Sequence, residues 1–248
     1  MLILCCYGLE RMVMGPADGV EGKWFSLNND NTHDINEKIV VMLNQEASVY
    51  RCSDYLNDPV HEAIDETWRR RMCEWMYGVV DHCRFRRDTV ATAMSYLDRC
   101  LSVPNNGIIN SRRTYQLTAM TCLQLAIKLF HKPYGVHIHS FVKLGRGLFT
   151  AEDLIEAESN VLFMLRWYVH PPTATTFLDY YLLLCPESLL PSTRYILREL
   201  SKFMIELAVC VYEFALEKPS IVAYSALMIA VEQMDEDALP LWHSGVFF

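Results

Sequence analysis

Apolar side chains recur along this chain at three- and four-residue intervals, the period of a helix; no stretch alternates apolar with polar long enough to argue a strand. After Asp34, a residue type suited to starting a helix, Ile35, Ile39, Met42 and Leu43 keep that spacing to about Ser48. Ile64, Trp68, Met72, Trp75 and Val79 mark a longer helix, and Val90, Ala93, Met94, Leu97 and Leu101 the next, which the turn signal Pro104-Asn-Asn-Gly107 stops. Residues 114–131 differ: Leu117, Ala119, Met120, Cys122, Leu123, Leu125, Ala126, Ile127 and Leu129 cover nearly every face. That pattern predicts a central helix enclosed by others. Thr150 then caps a helix carrying Leu154, Ile155, Val161, Leu162 and Leu165.

Pro171-Pro172 marks a boundary, and helices are expected beyond it at roughly 173–184, 191–216 and 220–233. The run Leu117 to Ala126 is echoed by Ile221 to Ala230, with Ala119 and Ala126 opposite Ala223 and Ala230. Two helical domains of one plan would produce that echo. The fold class is all-α. The expected organisation is an irregular lead-in over 1–34, an N-terminal helix segment over 35–56, a first helical domain over 57–170 and a second over 171–248.

Composition narrows the function classes. A hydrophobic share of 52% supports a substantial core, and a net charge of −8 makes a phosphate backbone a poor partner, so no nucleic acid is expected. Nine cysteines with no C-x-x-C pair suggest neither a zinc clip nor a disulfide framework, but reduced thiols in an intracellular protein. The apolar start, Met1 to Cys6, lacks a basic flank and is broken by Glu10 and Arg11, so neither a signal peptide nor a membrane span is expected. The expected compartments are nucleus and cytoplasm. His131, His137 and His139 have no matching carboxylate or cysteine spacing, and a polar loop between helices is the reading for that stretch. No phosphate-binding, dinucleotide, nucleophile-elbow or H-E-x-x-H motif occurs. No catalytic residue, metal or cofactor is therefore assigned.

Two charges stand among apolar neighbours. Glu158 follows Leu154 and Ile155 and precedes Val161 and Leu162 on one helical stripe, and Lys128 is the single charge between Tyr115 and Phe130. A buried unpaired charge costs several kcal/mol, so each needs a partner. Two arrangements satisfy them: an internal pair at the domain edge, or a polar clamp where another protein's helix docks.

At this point the chain resembles the cyclin family over roughly residues 35–233. Tyr96-Leu-Asp98-Arg99-Cys-Leu101 is similar to the Y-[IL]-D-R-F-L stretch of a first cyclin box, with Cys100 at the phenylalanine position. Tyr115-Gln116-Leu117 followed by Leu125-Ala126-Ile-Lys128 resembles the L-Q-L … I-A-S-K pattern, and Glu158 to Trp167 the E-x-x-[VL]-L-x-x-L-x-[WF] segment. Pro172-Thr173 with Phe177-Leu178, and Pro219-Ser220-Ile221-Val-Ala223, resemble stretches of the second fold; Leu43, Glu46, Tyr50 and Asp54-Tyr55-Leu56 resemble the helix before the box.

The resemblance implies a five-helix first box followed by a second, shortened helical repeat. It implies five hallmark positions at Arg69, Asp98, Leu117, Lys128 and Glu158. Lys128 and Glu158 would contact the C-helix region of a cyclin-dependent serine/threonine kinase, Arg69 and Asp98 would form an internal ion pair, and Leu117 would sit in the core. The implied function is a non-catalytic regulatory subunit in cell-cycle control. A transcription-type cyclin or general-factor-like core shares the fold; a small helical enzyme lacks its motifs.

Departures matter too. The docking stretch of the family usually carries an isoleucine where this chain has Arg71, within Trp68-Arg-Arg70-Arg71-Met-Cys-Glu-Trp75. With Trp75 and Gln116 retained, the cleft is expected to favour acidic or phosphorylated peptides through Arg70 and Arg71. Phe130-His131 replace the usual acidic residues after the lysine, and Ile3 to Tyr7 lacks the leucine and glutamate of a pocket-protein motif. An end at Phe248 leaves the second repeat short of five helices, as a naturally short cyclin or an incomplete gene model would be, with Ile221, Leu227 and Met228 exposed.

Overall fold

The computed structural model describes residues 29–57, 64–104, 107–108, 111–130, 138–186 and 188–234. Ile3 to Tyr7, Asn105 and Asn106, His131 and His137 lie outside the described residues. Within them the regular structure is helical and no strand occurs. The helices are α1 Asn29–Ala47, α2 Glu66–His82, α3 Asp88–Leu101, α4 Arg112–Phe130, α5 Ile138–Leu144, α6 Ala151–Met164, α7 Ala174–Leu183, α8 Pro191–Cys210, α9 Tyr212–Ala215 and α10 Pro219–Glu232. No helix among the described residues is long and apolar enough to cross a membrane.

Side-chain caps explain three of the starts. Asp65 caps α2 by accepting from the Trp68 N–H at 2.8 Å, and Thr173 caps α7 by accepting from the Thr176 N–H at 3.3 Å. At α6 the cap is reciprocal: Thr150 Oγ1 accepts from the Asp153 N–H, while Asp153 accepts from the Thr150 N–H at 2.9 Å.

Three expectations need correction. Asp34 lies inside α1, which begins at Asn29. The stretch read as loop contains α5, anchored by one buried residue, Phe141; seven residues hold too few turns for periodicity to register. The helix expected over 191–216 breaks at Val211, which is extended at φ −100° and ψ 127°. The Val209 carbonyl, which would accept from Glu213 in an unbroken helix, accepts instead from Arg69.

The chain divides into two compact units. The first takes Val49–Pro171 together with Ala208–Leu216. Its centre is α4, packed against α2, α3 and α6. Ala93, Ala119 and Ala126 have no exposed surface, and their small side chains let helix backbones approach. Around them pack Met94, Leu97 and Cys100 of α3, Leu123 and Ile127 of α4, and Leu154 and Val161 of α6.

The second unit takes the chain up to Ser48, Pro172–Leu207 and the chain from Glu217. Here α7 packs against α10 and α1. Its core holds Ile39 and Met42 with Phe177, Leu178, Tyr181, Leu197, Ile205 and Leu227. Ala223 and Ala230 are fully buried, as are Ala119 and Ala126 in the first unit, so the echoed alanines take equivalent buried positions in the two units. Glu46 of α1 accepts from the Ser220 N–H at 3.0 Å and from the Ser220 hydroxyl at 2.5 Å. It thereby caps α10, whose own N-cap residue Lys218 makes no side-chain cap. This bond explains why α1 groups with sequence that begins more than a hundred residues later.

Candidate functional site

Arg69 and Asp98 form the charged centre of the first unit. The guanidinium donates to both carboxylate oxygens at 2.8 Å, and the two residues are only 2% and 4% exposed. Burial alone would lower the Arg69 pKa, but the facing Asp98 carboxylate and its hydrogen bonds raise it well above the ordinary value. The remaining bonds go outward. Arg69 Nη1 donates to the Val209 carbonyl at 3.0 Å, and the Tyr55 hydroxyl donates to Asp98 at 2.7 Å. Tyr212 lies with its ring 5.1 Å from that of Tyr55, and its hydroxyl accepts from the Tyr55 and Leu56 N–H groups while donating to Asp54. The ion pair therefore fastens two remote strips, Asp54 to Leu56 and Val209 to Tyr212, onto α2 and α3.

Arg99, the next residue, works differently. It is buried, and its guanidinium donates to the Leu165 carbonyl at 3.3 Å and the Tyr168 carbonyl at 2.9 Å, with the Tyr50 ring 4.9 Å away. Burial lowers its pKa. A cation at the carboxyl end of α6 meets the negative end of the helix dipole and completes carbonyls that lack helical donors. The sequence signals this role only through a second charge beside Asp98 near the carboxyl end of α3.

Lys128 and Glu158 are brought together by α4 and α6, with Nζ donating to Oε2 at 2.5 Å. Their side chains are 40% and 22% exposed, so the pair lies at the surface. The internal-pair arrangement is thus formed in the free chain, and the burial expected from the apolar stripe is not. The reason is that Ile155, on the same face as Glu158, is itself 57% exposed. Leu129 and Phe130, beside Lys128, are exposed as well. Exposed apolar side chains therefore flank both members of the pair, after Lys128 at the end of α4 and one turn before Glu158 on α6.

The remaining site residues scatter. Arg70 and Arg71 are exposed on α2, while Trp75 and Gln116 are half-buried. The Arg112 guanidinium lies 4.7 Å above the Trp68 ring, placing a further cation beside that face. Leu117 is half-buried rather than central. It lines an open groove of about 420 Å³ between α4 and α6, with Thr114, Thr118, Glu156, Asn160 and Met164. His139 is exposed on α5. His33, Asp34 and Glu37 converge on exposed turns of α1, where His33 and Glu37 are an ordinary i,i+4 pair at 3.6 Å.

The described residues thus form two helical units, the first holding a buried arginine–aspartate pair and a surface lysine–glutamate pair. The family model for the cyclin N-terminal domain matches residues 37–170, and that for the cyclin C-terminal domain matches residues 172–246; the chain belongs to the cyclin family. Cyclin-A3-2 of Oryza sativa subsp. japonica is 26% identical over 190 residues, covering 77% of this chain and 48% of that protein. The G1/S-specific cyclin-E of Hemicentrotus pulcherrimus is 27% identical over 152 residues, covering 61% of this chain and 34% of that protein. The chain thus spans half or less of the length of these curated relatives. A viral cyclin from herpesvirus saimiri shares the fold at a TM-score of 0.58, with 19% identity and 84% of each chain covered.

Proposed function

We propose that this chain is a non-catalytic regulatory subunit that binds and activates a cyclin-dependent serine/threonine protein kinase in cell-cycle control, acting in nucleus and cytoplasm. The observation that carries the reading is the surface Lys128–Glu158 pair beside exposed Leu129, Phe130 and Ile155. Such a kinase is active when its C-helix is placed so that a lysine–glutamate ion pair and a metal-binding aspartate align. A rigid helical face with one donor, one acceptor and apolar area supplies that placement without chemistry of its own. Relatives that carry A-type and G1/S-specific names support the cell-cycle reading over a transcriptional one.

The test is reconstitution with candidate cyclin-dependent kinases, reading complex formation and phosphorylation of a histone substrate. Lys128→Ala and Glu158→Ala each weaken binding at least tenfold, about 1.4 kcal/mol or more, with unchanged circular dichroism. Normal binding by both variants would remove the pair from the interface, and substrate turnover by the isolated chain would overturn the reading. Arg70 and Arg71, exposed near the Trp68–Arg112 stack, are the basic face we assign to acidic or phosphorylated substrates. Replacing both by alanine lowers phosphorylation of such substrates in the same assay without loosening the complex.

A further inference from the structure

α2 carries Arg69 and Cys73 four residues apart, hence on one face, and that face meets two consecutive residues of the returning segment. Arg69 holds the Val209 carbonyl at 3.0 Å, and the Cys73 sulfur lies 3.3 Å from the Cys210 sulfur. Tyr212, two residues further on, is tied by its hydroxyl to Asp54, Tyr55 and Leu56. Cys210 is therefore held on both sides, with its sulfur facing that of Cys73.

The two thiols are unlike. Cys73 is fully buried, and its bond to Cys210 together with burial raises its pKa; the same bond lowers that of Cys210, helped by the charges of Arg69 and Arg87. Cys210 is only partly buried and so reachable from solvent. The pair combines an accessible, activated thiol with a shielded one at contact distance. Among the described residues no other cysteine has the combination. Cys100 and Cys122 also share a hydrogen bond, but both are fully buried, and burial pushes the Cys52 thiol up to about 12.

We propose that Cys73 and Cys210 are a redox modification site, closing to a reversible disulfide in the presence of hydrogen peroxide and clipping the Ala208–Leu216 segment to α2. The Cys210 thiolate attacks one peroxide oxygen; the O–O bond breaks, and the hydroxide released takes up the thiol proton as water. Cys210 is then a sulfenic acid. The Cys73 sulfur attacks the Cys210 sulfur, the S–O bond breaks, and the Cys73 proton leaves with the hydroxyl as a second water. Two thiols are oxidised to one disulfide and one peroxide is reduced to two waters. The sulfurs close from 3.3 Å to about 2.05 Å. The bond spans 137 residues of sequence, so it removes much of the freedom of the unfolded chain.

Peptide mapping of the whole chain under non-reducing conditions, after graded hydrogen peroxide, tests the proposal. The expected result is a Cys73–Cys210 linked peptide as the first disulfide to form, a melting temperature raised by several degrees, and reversal of both by dithiothreitol. In Cys73→Ser the sulfenic acid on Cys210 persists and is trapped by dimedone. A different disulfide forming first, or Cys210 passing to sulfinic acid in the natural chain without the linked peptide, overturns the proposal. Because the mapping uses the natural chain and no kinase, its outcome is independent of the kinase-binding reading.

Discussion

Arg69 is a charge that water would solvate far better than a protein interior does, and it is retained because each of its three guanidinium nitrogens donates a hydrogen bond. Two bonds go to Asp98, one to Val209, and the Tyr212 ring lies 5.9 Å away. Removing one partner strands the other, so Arg69→Ala or Asp98→Ala is expected to cost about 3–5 kcal/mol of stability in urea titrations. Tyr55→Phe loses a single bond to a carboxylate and is expected to cost about 1.5–3 kcal/mol. Glu46 poses the opposite problem. Burial raises its pKa above the ordinary carboxylate value, and the two bonds from Ser220 oppose that rise without cancelling it. The folded state therefore holds the Glu46 proton more tightly than the unfolded chain does. Its contribution is fully present below the unfolded pKa and is lost as pH rises through the raised folded value. Stability measured against pH should show the natural chain gaining relative to Glu46→Gln as pH falls toward 4.5, the ordinary value. Glu46→Ala leaves the Ser220 donors unanswered and should cost about 1–3 kcal/mol at any pH.

At the scale of one element, α6 carries Glu158 to its partner because both of its ends are closed. The amino end has the Thr150–Asp153 capping box. The carboxyl end is a Schellman turn: the Trp167 N–H donates to the Leu162 carbonyl at 3.1 Å and the Arg166 N–H to the Phe163 carbonyl at 3.0 Å. Glycine usually occupies such a turn, yet Arg166 and Trp167 take positive φ angles of 51° and 63°. A left-handed backbone costs a residue with a Cβ about 1–2 kcal/mol, which Arg99 helps to offset by binding the carbonyls there. Thr150→Ala should lower stability by about 1 kcal/mol. Arg166→Gly should leave it unchanged or raise it by up to about 1 kcal/mol, once the entropy of glycine is counted. Guanidinium chloride midpoints for the two variants check both.

Across the whole molecule, each unit recruits a segment distant in sequence, and each recruitment has a named bond: Glu46 to Ser220 in one, Arg69 to Val209 in the other. The exposed apolar surface also differs from the pattern-based expectation. Leu227 is buried and Ile221 and Met228 half-buried, whereas Ile196, Leu200, Phe203 and Leu207 form an exposed stripe along α8. Those positions follow the i, i+4, i+7, i+11 spacing of one helical face, and Thr193, Leu197, Ser201 and Ile205 are the buried set. An apolar stripe of that length favours association. Sedimentation velocity should show this chain associating with rising concentration, and Phe203→Glu should shift it toward monomer.

The sequence by itself determined the helical class, the enclosed run Thr118 to Ile127, the Thr150 cap and, through the family resemblance, the pairing of Arg69 with Asp98, because periodicity and family motifs are properties of neighbours along the chain; it left open whether Lys128 and Glu158 pair with each other. It was silent on α5, whose seven residues hold too few turns to show a period, and on the break at Val211, which one distant guanidinium imposes. Nor does a linear pattern contain solvent exposure. Glu158 sits among apolar neighbours in sequence and still lies at the surface, because which face of α6 is covered depends on where α4 and α5 pack. The meeting of Cys73 with Cys210 is of the same kind: contact between residues 137 apart exists only once the chain has folded back on itself.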